Sequence, residues 1–289
     1  MDKYFPGHHP SLAEELDQFL EERQRQLDRK GRRMGAAAFI LAGGYGRGEG
    51  GVFINDAGVP RLYNDLEFYL FTRGPFPTTA LTRWIHETES AGKAAFGIDV
   101  EIKTMPASSL DSARPSMFLY DLATGHVIVH GPRDFLTRDP LARLRNPNTI
   151  PLHEAARLLF NRGSGLFFAK AKLSGADPQF DQGFIQRNHA KAKLALGDAV
   201  LAANGLYDSS CRERERRITG RIPQIPPGWN EIRRLHTAGV LFKFNPRHEN
   251  ALREELEQQQ NDLVALWSSV FLWLESLRLG RHFDSLLDY

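Results

Sequence analysis

The sequence predicts an α+β protein: a small mixed sheet with flanking helices, followed by a C-terminal helical bundle. Three observations carry this. Short apolar runs of strand length alternate with amphipathic stretches in the first half, as at Ala36 to Ala42, Asn64 to Thr72 and Ile98 to Met105. Beyond Leu152, long segments of helical periodicity take over. The stretch between the first two apolar runs is rich in glycine and has no periodicity, which marks it as loop. The change of character near residue 145 divides the chain into an expected core domain, residues 1–145 with an N-terminal helix, and a helical domain, residues 146–289.

Composition sets outer limits. With 289 residues, 42% of them hydrophobic, the chain can bury a sizeable core, and its net charge of +2 argues against a nucleic-acid partner. The single cysteine, Cys211, excludes a disulfide framework and a cysteine-rich zinc site. No signal-like or membrane-spanning apolar run is evident, so no membrane partner is expected and a cytoplasmic location is. Oligomeric state is not legible.

In chain order, Ser11 and Glu14 read as a capping box opening an amphipathic helix that ends near Arg33, with His8 and His9 in a loose terminus before it. Ala36 to Ala42 reads as a buried strand stopped by Gly43 and Gly44. Tyr45 to Pro60 reads as a loop with one helical turn and a hairpin around Asp56 to Gly58. Alternation in Asn64 to Thr72 puts Asp65, Glu67, Tyr69 and Phe71 on one face and Leu66, Phe68 and Leu70 on the other, inward-facing one. A helix over Thr78 to Ala95 leads to a strand in which Asp99, Glu101 and Lys103 oppose Ile98, Val100 and Ile102. A short helix at Met117 to Ala123 and a strand at His126 to His130 complete the core. In the second half, Gly205 and Gly280 sit at expected helix C-caps, Thr219 to Gly228 is a connecting loop, and Arg212 to Arg217 reads as a solvated helix face. Trp267, Phe271 and Trp273 read as bundle core, and Asn161 and Arg162 before Gly163 read as a helix end.

Asp65 and Glu67 are two residues apart on one strand face, which puts their Cα atoms roughly 7 Å apart. A third carboxylate from the neighbouring strand would crowd three negative charges. At about 4 Å and an effective dielectric near 20, each like-charge pair costs on the order of 4 kcal/mol, so the cluster calls for a cation. Mg²⁺ suits carboxylate oxygens together with substrate phosphates. The glycine loop supplies backbone N–H groups that can approach phosphate oxygens. Solvated sheet faces also carry outward acids, and Glu101 has Lys103 nearby, so neither strand alone is decisive. Gly46, Gly48 and Gly51 match a dinucleotide-binding fingerprint, yet no helical pattern follows them. A kinase reading fails for want of catalytic-loop and DFG-like sequences.

Taken in order, Ala42-Gly43-Gly44, then Asp65-Leu66-Glu67-Phe68, then either Ile98-Asp99-Val100 or Val100-Glu101-Ile102 resemble the pattern of the DNA polymerase beta-like nucleotidyltransferase superfamily. The resemblance covers about Phe39 to Gly131, and the helical half is similar, more weakly, to the domain appended in many bacterial members. The Gly44 to Asp65 gap is longer than in minimal members, which implies an inserted hairpin. The resemblance implies transfer of a nucleoside monophosphate from an NTP, ATP being the expected one, to an unidentified acceptor (a small molecule or a protein side chain) with release of pyrophosphate. By it, Asp65, Glu67 and the third acid, Glu101 or Asp99, hold two Mg²⁺ ions, and that third acid also serves as general base. Gly43 and Gly44 hold the β- and γ-phosphates, and Arg47 adds a phosphate contact. In the helical half Lys191, with Arg187 and Asp198 on the same helix face, is a further candidate. The alternative is a catalytically silent nucleotide sensor or a toxin-antitoxin-like interaction protein on the same fold.

Overall fold

The structure, a computed structural model, describes residues 3–55, 57–175, 180–246 and 250–289. It is a mixed α+β protein with a small mixed sheet and a series of C-terminal helices. The chain divides into two compact units: one runs to Asn146 and takes in Phe244–Pro246, and the other runs from Pro147 to Lys243 and covers the remaining C-terminal residues.

The first unit opens with α1 (Pro10–Met34), which begins with proline at its first position and ends at Gly35 in the left-handed conformation. The expected capping box is not formed. The helix starts one residue earlier than Ser11, with His9 as N-cap and no side-chain cap bond. The terminus before it is anchored, because Tyr4 and Phe5 are fully buried and Gly50 N–H donates to the Tyr4 carbonyl at 2.9 Å. Strand β1 (Ala36–Leu41) leads into a single turn, α2 (Gly43–Gly46), and a hairpin of β2 (Gly51–Ile54) and β3 (Pro60–Tyr63). Asp56, at the tip of the expected hairpin, lies outside the described residues. Then come β4 (Leu66–Thr72), α3 (Thr79–Phe96), β5 (Val100–Pro106), α4 (Met117–Thr124) and β6 (Val127–His130).

The sheet order is β5-β4-β1-β6, with β4 and β5 parallel and the other pairings antiparallel. The parallel pair requires a crossover, which α3 provides. One face packs Phe39, Phe68, Val100 and Ile102 against α1 and α3, with Phe39 and Phe68 stacked at 4.8 Å and Trp84 edge-on to Phe39. The other face is covered too: Tyr69 and Phe71 are buried with Ala38, Ile40 and residues of α4. Burial on both faces differs from the one-sided strand that alternation suggests, and it confines the carboxylates to the end of β4 where cover stops.

The second unit holds α5 (Leu152–Leu173), α6 (Gln182–Ala203), α7 (Cys211–Ile218), α8 (Trp229–Phe244) and α9 (Arg253–Leu279). Helix α8 has no counterpart among the sequence expectations. Helix α5 does not end at Asn161–Gly163 but runs through it. Gly163 sits inside the helix where a Cβ would lie 3.0 Å from the Trp267 indole, whose Nε1 donates to the Leu159 carbonyl at 2.8 Å. Phe271 is core and stacks on Trp267, whereas Trp267 and Trp273 are half-buried. Nor is the α7 tract merely solvated. Arg214 is buried and meets Asp198 at 2.8 Å, and His236 Nε2 lies 3.0 Å from the same carboxylate. Burial alone would raise the Asp198 pKa, but Arg214 and His236 outweigh it and hold it below the usual carboxylate value. Asp198 is thus a structural anion and not part of an exposed phosphate-facing surface with Lys191.

A second buried histidine makes the helical unit sensitive to acid. His189 on α6 is buried, with Nε2 2.8 Å from Gln260 Oε1, and Gln260 in turn donates to the Leu166 carbonyl. Burial lowers the ring's pKa from 6.5 to about 4, against a smaller upward pull from the Gln260 hydrogen bond. Between those values the unfolded chain binds a proton that the folded chain refuses. The stabilisation is therefore complete above pH 6.5 and falls by about 3 kcal/mol as the pH drops to 4. Urea unfolding at pH 7 and pH 4 is expected to show a larger loss of stability for the wild type than for His189→Gln, and equal losses would contradict this assignment.

Candidate functional site

The parallel register of β4 and β5 sets Glu67 directly beside Glu101, with Leu66 opposite Val100 and Phe68 opposite Ile102. Strand neighbours about 4.8 Å apart project side chains to the same side at matched positions. Asp65 immediately precedes β4, and carboxylate oxygens of Asp65, Glu67 and Glu101 all lie within 4.8 Å of one another. Asp65 and Glu101 are exposed and Glu67 is half-buried, so the group opens to solvent.

Asp99 stands apart. Its carbonyl accepts from Leu66 N–H at 2.9 Å, continuing the ladder, but its carboxylate turns to Lys93 Nζ at 2.7 Å. Of the two acids that the sequence leaves open, Glu101 is the one that joins Asp65 and Glu67.

A resident cation already faces the cluster. Lys103, two residues beyond Glu101, places Nζ 3.0 Å from Glu101 and 3.7 Å from Glu67. Burial pulls the ammonium's pKa down, but the hydrogen bond to Glu101 and the surrounding negative groups win, so the group titrates above the ordinary lysine value. Tyr69 packs beside it, 5.9 Å from ring centre to Nζ.

Two backbone devices bring the glycine turn against these acids. Ala42 N–H donates to the Glu67 carbonyl at 2.9 Å, and Gly43 follows with φ of 62°. The left-handed conformation favours glycine, and a Cβ on Gly43 would stand 2.5 Å from Glu67 Oε2, so a side chain there would displace the Glu67 carboxylate. On the other side, Asn64 has φ of 69° and turns the chain from β3 into Asp65. Asparagine tolerates this region better than other side chains do.

Tyr45 ties the loop down. The buried phenol oxygen lies 2.7 Å from the Gly51 carbonyl and 2.8 Å from that of Tyr63, and it accepts from Tyr63 N–H at 2.9 Å. Burial drives its pKa upward, so it stays a neutral phenol. The hairpin is thereby fixed at its base to α2. Arg47 caps α2, is largely buried, and pairs with Asp121 of α4 at 3.6 Å. Lys191 and Arg187 lie on α6 in the second unit, Lys191 exposed and Arg187 half-buried.

Sequence reasoning missed Tyr45, Asn64 and Asp121. An asparagine directly before an acidic strand start is a recognisable left-handed position. The phenol anchor and the Arg47 partner depend on tertiary contacts and leave no local signal.

The chain matches no protein-family model and no curated protein. Chemically, three acids around a solvent-facing point, next to a turn of helix whose first N–H groups have no intrahelical partners, can take a hard cation and the anionic oxygens of its ligand.

Gly43→Ala is expected to cost about 1–2 kcal/mol through left-handed strain and to push Glu67 from its position, whereas Asn64→Gly changes stability by about 0.5 kcal/mol or less. Chemical denaturation of the two variants checks both values. A neutral Gly43→Ala would contradict the left-handed strain.

Proposed function

We propose that this chain is a Mg²⁺-dependent nucleotidyltransferase of the DNA polymerase beta-like kind, transferring a nucleoside monophosphate from an NTP to an acceptor hydroxyl or phosphate. The observation that carries the reading is the convergence of Asp65, Glu67 and Glu101 on two parallel strands beside the Gly43–Gly44 turn. A small mixed sheet with helices on both faces suits that kind of core.

In this reading Asp65, Glu67 and Glu101 hold the metal. Bound Mg²⁺ would offset triphosphate charge and make the acceptor oxygen a better nucleophile. Glu101, exposed and on the outer strand, takes the acceptor's proton as its oxygen bonds to the α-phosphorus. The bond from that phosphorus to the bridging oxygen breaks, and pyrophosphate leaves. Gly43 and Gly44 present backbone N–H groups to the departing phosphates, and Arg47 contributes a guanidinium fork once it exchanges Asp121 for phosphate. Lys103, now on Glu101 and Glu67, would have to leave these acids for a metal to be held there.

Isothermal titration with ATP and Mg²⁺ tests the reading. The wild type is expected to bind in a metal-dependent way and the Asp65→Ala, Glu67→Ala double variant to lose that dependence. Equal, metal-independent binding by both would overturn it. Glu101→Gln is expected to weaken Mg²⁺-dependent binding by about tenfold or more, and Asp99→Asn to leave it nearly unchanged, since Asp99 is engaged with Lys93.

One observation favours a second reading, a nucleotide sensor without transfer. Lys103 already supplies a positive charge at the acids. Nucleotide binding with no pyrophosphate release across a broad acceptor screen would select the sensor.

A further inference from the structure

A concave site lies at the end of the sheet away from the acids. It is a pocket of about 340 Å³ between the C-terminal half of α1 and the start of α3, with the nearly buried Met34 and Trp84 among its lining residues. Thr78 Oγ1 donates to the Met34 carbonyl at 2.8 Å and holds the two helix ends together. Met34 is followed by Gly35 and the first residue of β1, and α3 begins shortly after the last residue of β4. The acids stand at the first residues of β4. Six strand steps separate the two ends, about 20 Å.

The lining is strongly cationic. Arg23, Arg25, Arg29, Lys30 and Arg83 face Glu22 and Glu87. Glu22 is already used: it accepts from Arg25 at 3.0 Å and from Gln26 Nε2 at 3.0 Å. Arg29, Lys30 and Arg83 make no ion pair or hydrogen bond among the described residues, which leaves Glu87 alone to balance them. Arg23 lies over the Phe19 ring, and its Nε is buried without a hydrogen-bond acceptor. Burial lowers its pKa against a smaller upward pull from Glu22, and its Nη1 reaches only the neutral Gln26 Oε1, at 3.5 Å, so the fold has partly desolvated its charge with no direct carboxylate contact among the described residues. Such a pocket holds a positive potential that a bound anion would relieve.

We infer that this pocket binds a small polyphosphate-bearing ligand, at a site separate from the carboxylate cluster and independent of metal. The observations favour phosphate because arginines and a lysine line one concavity, and guanidinium forks engage phosphate oxygens in pairs. They favour a small ligand because the cations line a concavity of ligand size in a chain of net charge +2, not an extended basic stripe. The inference does not rest on the transferase reading, and its test uses no Mg²⁺.

The experiment is titration of the full chain with tripolyphosphate and with ATP, each in EDTA, and with citrate as a carboxylate control. Arg29 and Arg83 are exposed and make no hydrogen bond among the described residues, so Arg29→Ala, Arg83→Ala should keep the fold, as circular dichroism would verify. Tripolyphosphate affinity is expected to fall at least about tenfold in that variant and to stay unchanged in Asp65→Ala, Glu67→Ala. ATP binding as tight as that of tripolyphosphate would assign a nucleotide source, and tripolyphosphate alone an inorganic one; either supports the site. Unchanged affinity in the arginine variant, loss only in the acid variant, citrate binding as tightly as tripolyphosphate, or a single-stranded oligonucleotide binding more tightly than either would overturn it.

Discussion

Glu67 and Glu101 are register partners on adjacent parallel strands, and most of what surrounds them answers the repulsion that this pairing creates. Lys103, one strand repeat beyond Glu101 on the same face, supplies the nearest opposite charge. Exposure of Asp65 and Glu101 lets water screen the rest. Gly43 takes a left-handed turn and leaves the Glu67 carboxylate room where a Cβ would displace it. The parallel pairing itself exists because α3 crosses between the strands and is held by the aromatic contacts of Phe39, Phe68 and Trp84. A site formed by register cannot shift by one residue without turning every side chain on the strand over. Burial of both faces of β4 therefore fixes the acids as firmly as it fixes the core.

Much of this geometry was legible in the sequence because it depends on local periodicity. Alternation in Ile98 to Lys103 placed Glu101 on the face opposite Val100 and Ile102, and glycine after the apolar run of β1 placed the turn. Parity could not decide between Asp99 and Glu101, since residues two apart share a face. The decision came from Lys93 at the end of α3, a contact six residues upstream that sets Asp99 aside. Similarly, a basic heptad such as Cys211 to Arg217 reads as solvated in any window, because nothing local reports the buried Asp198 on another helix. Gly163 shows the same limit in reverse: a glycine that looks like a stop is a notch for a distant indole.

The two units solve the problem of buried charge differently. At the sheet end, like charges are left half in water and face the ammonium of Lys103. In the helical unit, Asp198 is enclosed and matched by Arg214 and His236, so removing one partner would strand the others. His189 takes a third course and stays neutral. Among the described residues, the first arrangement is the one that leaves carboxylate oxygens open to solvent, whereas the more perturbed groups of the second unit are already matched.

The distribution of charge across the first unit extends that argument. A protein of net charge +2 has no global field to steer an anion, so local imbalance has to do so. Acids collect where β4 and β5 begin, and arginines collect beside the start of α3, at the far end of the same sheet, with Arg29 and Arg83 in no ion pair among the described residues. Helix α3 connects the two ends in one rigid element, with Trp84 near its start and Lys93 near its end, the latter holding Asp99 away from the acid cluster. An anion drawn to the arginine end would meet α3 directly, while the acid end depends on the same helix for the placement of β5. The two sites thus share a packed helix and not a cavity, and any communication between them would have to pass through its position against Phe39 and Phe68.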